Sequence, residues 1–439
     1  MNVFFVNDTT TSSNWGCRGT TRALRGLVDD AGGEITHTLF LESMDDPRRL
    51  GEAVFEPGSF PARLSKFAFQ QADVRERALR ALRALPSTDR RGAYKRYESL
   101  TGRWDDLPVT FAEYPEAADA VERGERFAFE REAIASSDVV LINGEGSVYD
   151  RQRKGRMMFF IAYLATRRYD TPCLLVNHTA DLHDPVMNTL AENVYPLLED
   201  VVFREPYSAR AAEHAVPGTA ADHLGADAAF TYDPVDDRER WASVAGRDGY
   251  FDVWPDSAAG FDPDEPYVCV GGSSIFNRPD RPPYDPEPAY EQLCARLEEE
   301  VAPVVLTASC SSDAELFRPL AEREGYPLIG PHTPVRQAID VLSAAEVYVS
   351  GRWHPSIYAL VGGTPIVTLT ANTHKTRGIV EQAGLDAPTF DALSLHEAVE
   401  PIVELAGSYA DRGEALRERL RERSAELADD AGRNVRYLE

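Results

Sequence analysis

The chain has 439 residues, enough for two domains that each bury a core of their own. Its 72 acidic residues outnumber the 46 basic ones for a net charge of −26, a surface that repels nucleic acid and anionic lipid and argues against either as a partner. No run approaches the roughly 20 apolar residues of a membrane span, and the opening MNVFFVND reads as a first strand rather than a signal peptide, so a cytoplasmic protein is expected.

Val3 to Val6 is a short apolar run, Asn14 to Val28 carries a helical pattern, and Ile35 to Leu41 is strand-like again. The alternation breaks off between about residues 45 and 132, where segments such as RERALRALRAL from Arg75 suggest an inserted helical excursion. It resumes with a strand from Asp138 to Asn143 that ends in Gly144-Glu145-Gly146-Ser147. A helix over Gly155 to Arg167, a strand over Cys173 to Asn177, a helix over Pro185 to Leu198 and a strand over Val201 to Arg204 follow. The stretch 234–266 is rich in Asp, Pro and Gly and reads as a linker between a first domain at 1–233 and a second at 267–405.

In the second domain, strands are expected at Tyr267 to Gly271, Val304 to Thr307, Pro327 to Ile329, Val347 to Ser350 and Thr364 to Leu369. The helices between them run over Pro288 to Glu300, Asp313 to Glu324, Pro334 to Ala345 and onward from about Pro355. A charged helix over Ala415 to Leu427, within a terminal segment 406–439, is placed to pack back across the first domain. Strands alternating with helices at this spacing imply parallel β-α units, hence an α/β protein of two doubly wound halves with a helical insertion in the first.

Lysine occurs only at Lys66, Lys95, Lys154 and Lys375, and such acidity with so little lysine reads as adaptation to a salty, halophile-like cytoplasm. The five cysteines include no Cys-x-x-Cys pair, and Cys173 and Cys269 fall in apolar strand-like runs, so neither a disulfide framework nor a metal site is expected. His178 and His183 with Asp181 and Asp184 form the run HTADLHD, but the spacing puts the histidines poorly on one face for a metal.

Ser350 to Val367 is the most informative stretch. Arg352 and His354 sit where a strand hands over to a helix, the place where open α/β sheets bind ligands. A guanidinium grips a carboxylate or phosphate through two parallel hydrogen bonds, and an imidazole moves a proton near neutral pH. The competing reading pairs Arg352 with a surface carboxylate and leaves His354 as a helix cap.

The ordered segments resemble the polysaccharide pyruvyl transferase family. The pieces that carry the resemblance are Asn14-Trp15-Gly16-Cys17, Asn143 to Ser147, Phe203-Arg204-Glu205 with Ser208, Asp227 to Phe230, Ser350 to Pro355, Gly363-Thr364-Pro365 and Asn372 to Lys375. The resemblance implies two Rossmann-like domains in a GT-B-like arrangement with the active site in the cleft between them, and a pyruvyl transferase that uses phosphoenolpyruvate as co-substrate, with no further cofactor. It also implies a sugar of a glycan or polysaccharide precursor as acceptor and a pyruvate ketal as product. Arg204 and Arg352 resemble the family's donor-binding arginines.

Read from their own chemistry, His354 is the acid/base candidate, with Glu145 and Asp227 as further catalytic candidates. Trp353, His374 and Lys375 join the arginines on the donor side. Asn14, Trp15, Gly144 and Ser147 fall on the acceptor side, although Trp15 also suits core packing and Asp227 a plain turn. A GT-B glycosyltransferase using a nucleotide sugar and a non-catalytic sugar-phosphate-binding protein are the alternatives. No basic amphipathic helix offers a membrane anchor, so contact with a lipid-linked acceptor would be transient.

Overall fold

The computed structural model describes residues 1–41 and 107–439, apart from 126, 151, 219–221, 236 and 279–280. Most of the insertion expected at about 45–132 therefore lies outside the described residues. Strands β1 (Asn2–Val6), β2 (Glu34–Leu39), β3 (Val139–Val148), β4 (Cys173–Ala180) and β5 (Asp200–Phe203) form one parallel sheet, in the order β2-β1-β3-β4-β5. Between them run α1 (Trp15–Asp30), α2 (Tyr114–Glu122), α3 (Ala128–Ser136), α4 (Arg153–Arg168) and α5 (Pro185–Val194), and after them come α6 (Pro206–Ala212) and α7 (Arg238–Ala245). The strand sequences VFFV, VVLI, CLLV and VVF are apolar without alternation because helices cover both faces of the sheet, and every one of these side chains is buried.

The second sheet is parallel too. It contains β6 (Val268–Ser273), β7 (Val304–Thr307), β8 (Leu328–Ile329), β9 (Val347–Gly351) and β10 (Ile366–Thr368), in the order β10-β9-β6-β7-β8. Its helices are α8 (Glu287–Glu300), α9 (Ser311–Glu324), α10 (Val335–Ser343), α11 (Trp353–Val361) and α12 (Lys375–Gln382). Strand order reverses between β1 and β3 in the first sheet and between β6 and β9 in the second. Crevices for ligands open at the carboxyl ends of strands at such switch points.

Three departures from the sequence reading bear on the site. Strand β3 does not end at Asn143 but continues through Glu145 to Val148, with a register shift against β4 between Glu145 and Val148. Gly144 permits this because its Cα faces the His178 ring, where an added Cβ would lie 2.5 Å from Nδ1. The 234–266 stretch, read as a linker, carries α7, and the rings of Trp241, Tyr250, Phe251 and Phe261 stack edge-on in series up to Tyr267 at the start of the second domain. Aromatic burial outweighs the loop-like composition there.

The expected helix Ala415 to Leu427 is part of the second arm of a longer kinked element, α13 (Leu395–Ala431), whose two helices meet at Gly413, where φ is 51°. It packs on α8 and α11, and the residues beyond it reach the first sheet. Asn434 Oδ1 accepts from Asn177 N at 2.7 Å, its Nδ2 donates to Ala226 O at 2.9 Å, and Arg436 grips both oxygens of Asp200.

Candidate active site

Apolar β5 ends in Arg204, whose side chain is 1% exposed and could not stay charged there without partners. Its Nε donates to Thr179 Oγ1 at 2.8 Å, and its Nη1 donates to Asp227 Oδ2 at 2.7 Å. The guanidinium lies over the Trp353 ring at 5.1 Å. Asp227 is fully buried and begins the 3-10 turn Ala228–Thr231, capping it by accepting from Ala229 N. Its remaining capacity goes to Thr20 Oγ1 at 2.7 Å and Trp353 Nε1 at 2.9 Å. Burial alone would raise the Asp227 carboxyl, but the neighbouring His354 and Arg204 reverse that and hold it well below the usual carboxylate range.

His354 stands in the first turn of α11 and reaches across from the second domain. Its Nε2 is 3.2 Å from Asp227 Oδ2 and 3.1 Å from Arg204 Nη1. Burial lowers its pKa, and the Arg204 and Lys375 charges act in the same direction against the opposing pull of Asp227. The imidazole is therefore neutral near physiological pH and able to accept a proton. Gly16 at the start of α1 packs flat against this ring, and any Cβ there would overlap it. Gly16→Ala is expected to displace His354 and lower turnover by about 10²-fold, the scale of a misplacement near 1 Å. The steady-state rate of Gly16→Ala alongside its thermal melting checks this, and an unchanged rate would show that the contact is incidental.

Three cations meet in the cleft. A Cβ built on Gly146 would lie 3.3 Å from Arg204 Nη2 and 3.7 Å from Lys375 Nζ, so both groups point at the same spot on β3. Arg352 follows β9 and is held by Asp313, whose Oδ1 accepts from Nη2 at 2.5 Å and from Nε at 3.2 Å; Ser312 Oγ lies 3.4 Å away. Lys375 is buried, donates to Asn372 Oδ1 at 2.6 Å, and has its pKa lowered to about 7 by burial first and then by the Arg204 and Arg352 charges. Three cationic groups are thus held close together, two of them oriented by buried carboxylates.

Arg204, Arg352, His354, Lys375 and Glu145 thus come together from both sheets, but several predicted residues take other places. Trp15 is wholly buried within the hydrophobic core that also covers the second sheet, so its ring cannot touch an acceptor. Asn14 caps α1 instead, its Oδ1 accepting from Gly16 N and Cys17 N, an arrangement worth about 1 kcal/mol. Trp353 is engaged with its own neighbours, its indole N–H donating to Asp227 and its ring lying against Arg204. Asp227 orients Arg204 and His354 and is too deeply buried to meet substrate.

His374 lies apart from the three cations. Its Nε2 is 3.1 Å from Glu205 Oε1 and 3.2 Å from Ser208 Oγ, and its ring stacks on Tyr207, so it fastens one domain to the other. Ser147 and Gly144 are buried within β3. His178 is buried with Nε2 facing Tyr195, whereas the His183 side chain is 94% exposed; among the described residues no group of three or more His, Cys, Asp or Glu is placed to hold a metal.

The sequence reading missed Thr20, Thr179 and Asp313, each of which holds a site residue from another element, whereas Asn372, already within the Asn372 to Lys375 piece, accepts from Lys375. Only the polar character of these residues at strand ends or helix starts could have drawn notice. The partners of Thr20 and Asp227 are 207 positions apart, beyond the reach of any local pattern.

The family model of polysaccharide pyruvyl transferases matches residues 51–372. The chain belongs to the polysaccharide pyruvyl transferase family. This pyruvyl transferase matches none of the curated proteins. Its similarity to solved structures is broad but remote. Arabidopsis thaliana UGT89C1 complexed with UDP-L-rhamnose is 13% identical, with a TM-score of 0.50 over 100% of this chain and 97% of that one. The S. aureus MnaA-UDP co-structure is 11% identical, with a TM-score of 0.50 over 100% and 96%. At such identities the likeness concerns the fold alone, and that fold is the GT-B pairing of two Rossmann-like domains. Among the described residues of the pyruvyl transferase, no helix is long and apolar enough to cross a membrane.

Proposed function

We propose that this transferase moves the enolpyruvyl group of phosphoenolpyruvate onto two hydroxyls of a glycan or polysaccharide precursor, forming a pyruvate ketal and releasing phosphate. The observation that carries this reading is the convergence of Arg204 Nη2 and Lys375 Nζ on Gly146, with Arg352 beside them. Phosphoenolpyruvate bears a carboxylate and a phosphate on neighbouring atoms and needs several cationic grips at fixed separation. Arg204 is locked by Thr179 and Asp227, and Arg352 by Asp313, so both forks are oriented before the donor arrives. His354, neutral and aimed by Asp227, takes the proton of an attacking sugar hydroxyl. Glu145 stands on β3 next to the cation cluster and completes the acid/base pair.

A phosphate-release assay with phosphoenolpyruvate and a panel of methyl hexopyranosides tests the reading against the nucleotide-sugar alternative. Release of inorganic phosphate that depends on both substrates is expected; release of a nucleoside diphosphate from a nucleotide sugar would replace this reading with glycosyl transfer.

Lys375 makes donor binding pH-dependent. With a pKa of about 7 in the free enzyme, it loses its charge as pH rises, and a bound trianion favours the charged form. Phosphoenolpyruvate affinity is therefore expected to fall by up to about tenfold per pH unit above about pH 7, with proton uptake on binding. Calorimetry in buffers of different ionisation enthalpy reads both effects. Lys375→Met should bind the donor weakly and lose the part of the proton uptake that titrates near pH 7, and wild-type affinity with undiminished uptake in this variant would remove Lys375 from the donor site.

A further inference from the structure

The switch point of the first sheet brings Thr9, just after β1, against Glu145 on β3. Thr9 is fully buried, and its Oγ1 lies 2.8 Å from Glu145 Oε1, 2.7 Å from the backbone oxygen of Cys17 and 2.6 Å from Thr21 Oγ1. A hydroxyl has one hydrogen and two lone pairs. Thr21 Oγ1 already accepts from Asn143 Nδ2 at 3.0 Å, which leaves its own hydrogen for Thr9. The Cys17 carbonyl can only accept. The one hydrogen of Thr9 must therefore serve either Cys17 or an ionised Glu145, and the other contact would be two oxygens within 3 Å with no hydrogen between them. If Glu145 is protonated and donates to Thr9 while Thr9 donates to Cys17, all three contacts are hydrogen bonds.

The backbone supports a dedicated orientation. Glu145 has φ of 42°, left-handed in a residue that is not glycine, at a cost of about 1–3 kcal/mol. Among the described residues, the charged and titratable groups around it include Lys375 from α12, Arg204 across Gly146, His178 in register on β4 and Cys17 of α1. On their own the two cations would favour a carboxylate, in opposition to the hydrogen count at Thr9. A donor trianion bound to those cations cancels that influence and, as a nearby like charge, favours the acid.

The geometry points to Thr9 as a positioning residue that keeps a proton on Glu145, and to Glu145 as the acid that protonates the donor's methylene carbon. This rests on the proposed donor. The π pair of the carbon–carbon double bond takes the Glu145 proton to form the methyl C–H bond, leaving a carboxylate and a positive charge shared between the ester-bearing carbon and its oxygen. The first sugar hydroxyl adds to that carbon and gives its proton to His354. The second displaces phosphate, which leaves with the C–O bonding pair and takes the proton from His354. The proton of the second hydroxyl returns Glu145 to the acid.

Infrared difference spectroscopy of the unliganded and phosphoenolpyruvate-bound enzyme near pH 7, wild type against Glu145→Gln, tests the placement without an acceptor. A protonated-carboxyl stretch is expected in the donor-bound wild type, absent in Glu145→Gln, shifted or lost in Thr9→Val and retained in Thr9→Ser. In turnover with a methyl hexopyranoside acceptor, Thr9→Val should lose about 10²-fold in kcat with little change in KM for phosphoenolpyruvate, and Thr9→Ser should restore it. Should Thr9→Val fail to fold, Thr9→Ala against Thr9→Ser makes the same comparison. Absence of any carboxyl band that depends on Glu145 overturns the proposal, as does a Thr9→Val or Thr9→Ala enzyme with wild-type kcat. A Glu145 band in the unliganded enzyme with no calorimetric binding of phosphoenolpyruvate overturns the donor and with it the acid role, while the proton placement stands.

Discussion

Arg204→Ala is expected to abolish detectable turnover and to lower the melting temperature at the same time. The guanidinium is buried against a fully buried carboxylate, with 2.7 Å between Nη1 and Asp227 Oδ2. Truncating it leaves Asp227 uncompensated, and breaking a buried pair from one side costs about 3–5 kcal/mol. Trp353 loses the cation stacked on its ring, and His354 loses the neighbour that lies 3.1 Å from Nε2. Donor binding suffers separately, because Nη2 is the atom directed at Gly146 beside Lys375. Each charge-assisted hydrogen bond lost is worth about 1.5–3 kcal/mol, so phosphoenolpyruvate affinity should fall by at least about tenfold. Arg204→Lys separates the two effects. It keeps a cation for Asp227 and should melt closer to wild type, yet it lacks the fork that serves Thr179, Asp227 and the donor together, so calorimetry should still show weakened binding. Full donor affinity in Arg204→Lys would mean that Arg204 serves stability alone.

Asp227→Asn should give the second large loss, this time mainly in kcat. The amide fills the same volume and its oxygen can still accept from Thr20 and Ala229, but Arg204 loses its buried counter-charge, so the melting temperature should fall as well. What disappears is the negative charge that holds Arg204 and aims His354. Loss of an oriented base is worth roughly 10²- to 10⁴-fold. The sign of the pH effect also follows. Asp227 pulls the His354 pKa upward against burial, so its removal lowers that pKa further, and the acidic limb of the kcat/KM profile should move to lower pH. A profile that stays in place in Asp227→Asn would indicate that the limb belongs to another group.

Much of this was legible in the chain because the physics was local. Continuous apolar strands alternating with helices specify parallel sheets whatever lies far away, and both sheets follow. Arg204 and Arg352 were visible as the first residues after buried strands, where side chains enter the cleft. The rest depends on distant partners. Asp313 holds Arg352 from 39 positions away, and Asp227 engages Trp353 from 126 positions away, so neither pairing leaves a local trace. Trp15 was ambiguous for the same reason, since an aromatic at a helix start looks alike whether it faces a ligand or a core. The continuation of β3 past Asn143 was hidden by its glycines, which imitate a turn but in fact make room for the His178 ring at Gly144 and for the Arg204 and Lys375 side chains at Gly146.

The account stands on a donor held jointly by the two domains, and a crystal structure of the enzyme with phosphoenolpyruvate tests that most directly. The prediction is electron density for the donor over Gly146, with its two anionic groups on Arg204, Arg352 and Lys375 and its methylene carbon facing Glu145. Phosphoenolpyruvate bound away from these three cations, or a cleft that remains empty at saturating donor, would contradict it.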